Sequence, residues 1–545
     1  MPVPITLRQC SSRAYSSAVK GRPNMNSVSS SSRPVKHRVV ISALIIVAIT
    51  VSAALSVLTM PWHNRGTINP EATISLPNYY MEGMVFQRNK LLSIEGNATP
   101  GTRLTVSMDD GSRSISAQTV SDDDGTFTAR LKAPAAQLAP YTFTITSGDT
   151  ILFRINETYV GDVFLAAGQS NMELNYYDYY AQNSDVEDRH APKKSELPNL
   201  VDDANIHFLI TASTNSRKRL SPNDLPLRDY HNGSWLKADT THAEYLGYLP
   251  QFFAEELRQD IPDIPIGIIQ TAWGGTDISQ HIEGGTIYET HIKPLRHFSL
   301  AGILWYQGEN DAAFDSTAYL YSYRFTQLID EYRQLFNEPD LPFLYVQLAR
   351  NIEHANTSII RQAQLQALDT ASVSKNLALC VSIDTDKGNY RTIHPLGKEI
   401  IAHRMAEQWQ AMRKNRPIPM GPLADHAVAS DDRDTVTVHF KKDSADGLQS
   451  MAPFFSMSAT AEVVAVPVTR PLEGFEAAGP DGVFRQASAA INSNGTLTIS
   501  SSTVEDIRQV RYLWESSPTA SVLLYNSQHL PASPFTLKVN EKQSS

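Results

Sequence analysis

Four short segments hold residue types that together could transfer an acyl group. GQSNM, Gly168 to Met172, directly follows the apolar run VFLAA. A serine on the turn leaving a buried strand is rigid below and open above, as a nucleophile requires. N–H groups of the helix expected next would face developing negative charge. The segment is not the G-x-S-x-G elbow, because its fifth residue is Met172; taken alone, Ser170 would serve as well as a helix cap. AWGGTD, Ala272 to Asp277, follows PIGIIQT. Its glycine pair lets the backbone approach a ligand closely or take a positive φ, though an ordinary tight turn uses the same residues. WYQGEND, Trp305 to Asp311, follows LAGIL and places an amide and two carboxylates at a strand end. The Gln307 amide can donate to an oxyanion. Glu309 and Asp311 are candidate general acids, sugar-binding groups or loop braces; a glycosidase would need two separated carboxylates, which nothing here specifies. TIHPLGKE sets His394 just before an amphipathic helix, and histidine is the usual base that activates serine. In chain order the four segments supply nucleophile, two kinds of oxyanion donor, and base. Such a reaction needs no metal and no cofactor.

Each segment sits where a strand should end. VFLAAG, PIGIIQ, LAGILWY, PFLYVQL and LALCVSI read as buried parallel strands. Between them lie helical stripes: Tyr321, Phe325, Leu328, Tyr332 and Leu335, then Leu396, Ile400 and Met405. Strands alternating with helices predict an α/β domain, here over 157–418, with ligands at the carboxyl ends of a mostly parallel sheet. Upstream, over 70–156, TRLTVSM, TFTARL and YTFTITSG alternate between turn signals and predict a small β domain. Downstream, over 419–545, TVTVHF, TLTIS, VRYLW and SVLLYN predict a second β-rich region. A polar, tyrosine-rich stretch after Leu174 reads as a surface insertion.

A chain of 545 residues calls for two or three domains, and a net charge of -10 argues against general nucleic-acid binding. Cys10 and Cys380 are too few for a disulfide framework and lack the partners of a zinc site; Cys380, in an apolar run, reads as core. Residues 1–38 are basic, serine-rich and free of acids, which predicts a disordered tail. Residues 39–60 are apolar and uncharged, with basic residues only before them. That pattern predicts a transmembrane helix with a cytoplasmic N-terminus, a single-pass type II anchor; a cleaved signal peptide, leaving a secreted protein, is the rival. Either way the rest would be lumenal or extracellular. N-x-S/T triplets at Asn97, Asn156, Asn232, Asn356 and Asn494 agree with that side of the membrane and with a glycoprotein.

VGDVFLAAGQSNME, PIGIIQTAWGGT, GILWYQGEND and IHP, with the flanking MVFQRN, EGNATPGTRLTV, GFEAAGPDGVF, VRYLW and LPASPF, resemble the SGNH hydrolases. The resemblance is strongest to their sialate O-acetylesterase branch and the related acetylxylan esterases, and it covers about residues 75–540. It implies a flavodoxin-like α/β hydrolase domain and a serine esterase that removes acetyl groups from sugars, sialic acids first among them. By position, Ser170 would be the nucleophile and His394 the base. The oxyanion would meet the N–H groups of Ser170 and Gly275 and the Gln307 amide. Many relatives carry an aspartate two or three residues before the histidine; here Thr392 and Arg391 stand there. The third member of a triad would then be Asp384 or Asp386, with Glu309 as another site carboxylate; a backbone carbonyl orienting His394 would make a dyad. Loss of an orienting acid lowers kcat about 10⁴-fold in trypsin-like triads, so a non-catalytic glycan-binding ectodomain is the competing expectation. A sialic acid carboxylate would need a cation, for which Arg391 and Arg361 are candidates.

Overall fold

The strand that ends at GQSNM is far longer than its apolar core. In a computed structural model of the chain, which describes residues 67–68, 74–176, 199–210, 230, 233–370, 372–387, 393–454 and 464–541, β1 runs over Thr150–Gly168. Its first half pairs antiparallel with Gln137–Ser147. Its second half is the middle of a parallel sheet. The boundary expected at 156 therefore falls inside one continuous strand, and His63–Ser545 form a single compact unit. The upstream strands alternate as expected, with every second residue of Thr126–Lys132 buried.

The other strands of the central sheet are β2 (Asp203–Ile210), β3 (Ser234–Ala238), β4 (Ile266–Gln270), β5 (Gly302–Tyr306), β6 (Phe343–Val346) and β7 (Leu377–Cys380). They stand in the order β3-β2-β4-β1-β5-β6-β7. All neighbours are parallel except β3, which pairs antiparallel with β2. Every residue of β4, β5, β6 and β7 is buried, the signature of a sheet covered on both faces. Helices among the described residues include α1 (Ser170–Glu173), α2 (Tyr248–Asp260), α3 (Tyr321–Leu335), α4 (Thr357–Ala367) and α5 (Lys398–Arg413). The stripe read from Tyr321, Phe325, Leu328 and Tyr332 is the buried face of α3. After β1 the chain builds β2, β3 and β4 on one side, then β5, β6 and β7 on the other. The order reverses at β1, and a crevice opens at the carboxyl end of such a strand.

The C-terminal residues form an eight-stranded sheet and a three-stranded one that includes Leu523–Tyr525. Two expectations from the N-terminus need correction. Among the described residues no helix is long and apolar enough to cross a membrane, so the type II anchor, the membrane partner and the topology built on them do not stand. The apolar run 39–60 and the basic tail 1–38 themselves lie outside the described residues. Hydropathy measures whether a segment would tolerate a bilayer; it does not specify that the segment forms a spanning helix.

Candidate active site

Gly168 closes β1 with φ +125°, and Ser170 opens the single turn α1, the whole of the helix expected there. Across the crevice, His394 precedes α5. Its Nε2 lies 2.9 Å from Ser170 Oγ. Ser170 is 6% exposed and His394 half-buried, so a substrate reaches the pair from one side only. Four sequence-distant loops thus meet where the strand order reverses, and they are tied to one another. Trp273 N–H donates to Gly168 O at 2.9 Å, and Gln169 N–H to Tyr306 O at 2.9 Å. The Gln169 side-chain carbonyl accepts from Gly308 and Asn310 N–H, both at 3.3 Å. Glu173 Oε2 accepts from Gly274 N–H at 2.6 Å. Gly275, the next residue, has φ +75° and open space where a side chain would start.

Several residues singled out in the sequence do other work. Gln307 is fully buried; its amide donates to Thr276 O at 3.1 Å and to Asp311 Oδ2 at 2.6 Å. Both N–H groups are engaged, leaving none for an oxyanion. Asp311 also accepts from Ile278 N–H at 2.9 Å, so Gln307 and Asp311 brace the glycine loop from behind. Burial pushes Asp311 up to about 6, held back by those two donors. Asp384 is gripped by the Arg404 fork at 2.8 and 2.9 Å and by Tyr525 Oη at 2.9 Å. Asp386 is gripped by Arg350 at 2.6 and 2.9 Å. Arg361 has no exposed surface and donates to the carbonyls of Leu348, Ala349, Glu515 and Ser516. These three residues fasten the β6 and β7 loops and α4 to the C-terminal β region, with Arg350 also donating to Pro518 O. A guanidinium enclosed by carbonyls is closed to a substrate carboxylate. Arg391 and Thr392 lie outside the described residues.

Glu309 stays at the site but below the surface. It is 2% exposed and accepts from the Asn171 amide. The same amide donates to Ile393 O at 2.9 Å, and its oxygen accepts from Lys398. Burial raises Glu309 to about 7 against the pull of Asn171 and Lys398. Burial lowers Lys398 to about 7 against the pull of Glu309 and Glu399. On the exposed side, Glu353 Oε1 accepts from Ile393 N–H at 3.2 Å. Asn171, Glu173 and Lys398 lie within GQSNME and TIHPLGKE, beside the nucleophile and base candidates, and that adjacency is the signal the sequence offers for them; Glu353 has none.

Residues 222–408 match the family model described as carbohydrate esterase, sialic acid-specific acetylesterase. The match takes in the glycine, Gln307 and His394 loops. Among curated proteins the chain is similar to the human sialate O-acetylesterase, 24% identical over 60% of this chain and 69% of that one. It is similar to the rat sialate O-acetylesterase at 22% over 82% of this chain and 91% of that one. Among solved structures it is similar to a carbohydrate acetylesterase from Xanthomonas citri, with a TM-score of 0.68 and 27% identity over 85% of this chain and 99% of that one.

Proposed function

We infer the activity from the premise that the chain belongs to the sialic acid-specific acetylesterase family of carbohydrate esterases: it is a carboxylic ester hydrolase that removes O-acetyl groups from carbohydrates. Sialic acids are the proposed substrates, Ser170 the nucleophile and His394 the base. The observation that carries this is the 2.9 Å approach of His394 Nε2 to Ser170 Oγ, a nucleophile–base contact at the strand end where a ligand binds. The chain-ordered strands β1, β4, β5, β6 and β7 occupy the sheet order 2-1-3-4-5. That is the flavodoxin-like succession, which supports the SGNH-type reading of the domain.

In the proposed reaction His394 takes the Ser170 proton as Oγ bonds to the acetyl carbon. The carbonyl oxygen becomes an oxyanion facing the N–H groups of Ser170 and Gly275, since the Gln307 amide is engaged elsewhere. The sugar oxygen leaves with the proton from His394, giving the acetyl-enzyme. A water, deprotonated by His394, then attacks the same carbon and releases acetate and Ser170. Glu353 fixes the backbone beside His394 through Ile393 N–H.

Acetate release by the purified protein from 9-O-acetyl sialic acid, acetylated xylan and an aryl acetate tests this. Ser170→Ala and His394→Ala are each expected to remove at least about 10³-fold of kcat on all substrates, and Ser170→Ala to abolish fluorophosphonate labelling. Arg391→Ala is expected to raise KM for the sialoside alone. Wild-type turnover that survives Ser170→Ala would refute the mechanism. Preference for acetylated xylan would move the substrate to the acetylxylan branch.

A further inference from the structure

A carboxylate and an ammonium buried together are costly unless their geometry is needed, and well-packed apolar side chains of the same size are often more stable. Glu309, Asn171 and Lys398 are 2%, 2% and 1% exposed, and no step of the proposed reaction uses them. They come from three elements. Glu309 follows β5, Asn171 is the second residue of α1, and Lys398 opens α5. Asn171 lies between the two ionisable groups, one amide N–H on Glu309 and the amide oxygen on Lys398. An amide with an acceptor at one end and a cation at the other cannot flip. Its second N–H is therefore fixed on Ile393 O, at 2.9 Å. Ile393 adjoins His394, and Asn171 adjoins Ser170. The charges around the cluster are Asp311 beside Glu309, Glu399 beside Lys398, and Lys387 beside Glu399. The Lys398 ammonium also lies 4.8 Å over the Tyr306 ring.

We propose that Glu309, Asn171 and Lys398 form one buried positioning unit, in which the paired charges lock the Asn171 amide and the locked amide sets the spacing of Ser170 and His394. The three residues touch neither substrate nor the reacting atoms. They act through the backbones of the nucleophile and base loops. Misplacement by about 1 Å costs on the order of 100-fold in rate, so the unit should govern kcat and leave sugar binding alone. Removing one charge leaves the other buried and unbalanced. Removing both leaves the Asn171 amide with a neutral partner.

This rests on the Ser170–His394 reading, which wild-type turnover and its loss in Ser170→Ala test separately. The experiment compares Glu309→Gln, Lys398→Met and the double variant on an aryl acetate and on the preferred sugar ester. Thermal melting and the rate of fluorophosphonate labelling of Ser170 are followed in parallel. Each single change is expected to lower kcat and the labelling rate about tenfold or more with KM within about twofold, and the double variant to lose no more than the worse single one, because either removal already unlocks the Asn171 amide, the non-additivity expected of groups that act as one unit. Losses that multiply in the double variant would overturn the unit. So would single variants with wild-type kcat, or a rise in KM at constant kcat. If the single variants do not fold, the double variant decides: a folded enzyme with kcat and labelling rate lowered about tenfold or more at an unchanged KM upholds the unit, and a folded one with wild-type kcat, or one that does not fold, overturns it.

Discussion

Gly275, whose N–H is one of the two donors proposed for the oxyanion, has a backbone conformation that favours glycine. Gly275 takes φ +75° with nothing within 4 Å of where a Cβ would be. An added methyl there meets no neighbour, so Gly275→Ala strains the backbone by about 1–2 kcal/mol without a clash. The same methyl would point into open space beside the glycine loop's N–H groups. The loop is held at Gly274 by Glu173 and at Trp273 by Gly168, so the strain has no distant outlet and should appear as movement of the Gly275 N–H. Gly275→Ala is expected to lower kcat by about 10- to 100-fold, approaching the cost of a lost oxyanion donor, with little change in melting temperature. Steady-state kinetics on an aryl acetate read it directly. A variant with wild-type kcat would remove Gly275 from the oxyanion site and leave the Ser170 N–H as the donor proposed for it.

Gly168 makes the contrasting case at the level of the element, because its constraint is packing between two strands. It pairs with Tyr306 across β1 and β5, and a Cβ built on it would come within 2.2 Å of the Tyr306 carbonyl oxygen. Gly168→Ala should separate the strand ends that carry Ser170 and Gln307, at about 3 kcal/mol or more, so a thermal melt well below wild type is the expected result. An unchanged melt would mean that the strands part without cost. The same elements show what could be read in advance. β1, β4, β5, β6 and β7 were legible because strands buried on both faces leave continuous apolar runs, and α3 because one buried face repeats at helical spacing. Ser170, Gly275 and His394 were legible because each follows or precedes such an element. The roles of Gln307, Asp384, Asp386 and Arg361 were not, because each has a partner 31 residues or more away, which leaves no trace in local spacing. Arg361, for example, is held by Glu515 and Ser516. The boundary at 156 was missed for a related reason: alternation changes to a continuous apolar run within β1 as the strand passes from one sheet environment to another, while the strand itself continues.

Across the whole molecule, three histidines among the described residues are buried outside any ion pair, and they set how the fold should respond to acid. His207 lies in β2 with its ring 4.3 Å from that of Tyr159. His281 holds Thr276 Oγ1 beneath the glycine loop at 2.7 Å, and His291 packs 5.8 Å from Trp273. Burial lowers them to about 3, about 3 and about 4, from an ordinary 6.5. Below pH 6.5 the unfolded chain therefore binds protons that the folded chain refuses. Their stabilisation is complete above 6.5 and is lost as pH falls toward 3–4, each group contributing up to about 1.4 kcal/mol per pH unit. One carboxyl opposes this. Asp311, raised to about 6, binds a proton first in the folded state, so acidification favours folding through it until the unfolded carboxylate also protonates near 3.8. The balance predicts little loss of stability near neutrality and a loss that steepens below about pH 6.5. Denaturant midpoints measured across that range test the shape. His207→Gln, which removes one titrating group, should flatten the curve below pH 6.5. A wild-type midpoint that stays level down to about pH 4, or a variant whose slope matches wild type, would show that these rings accept protons in the folded state after all.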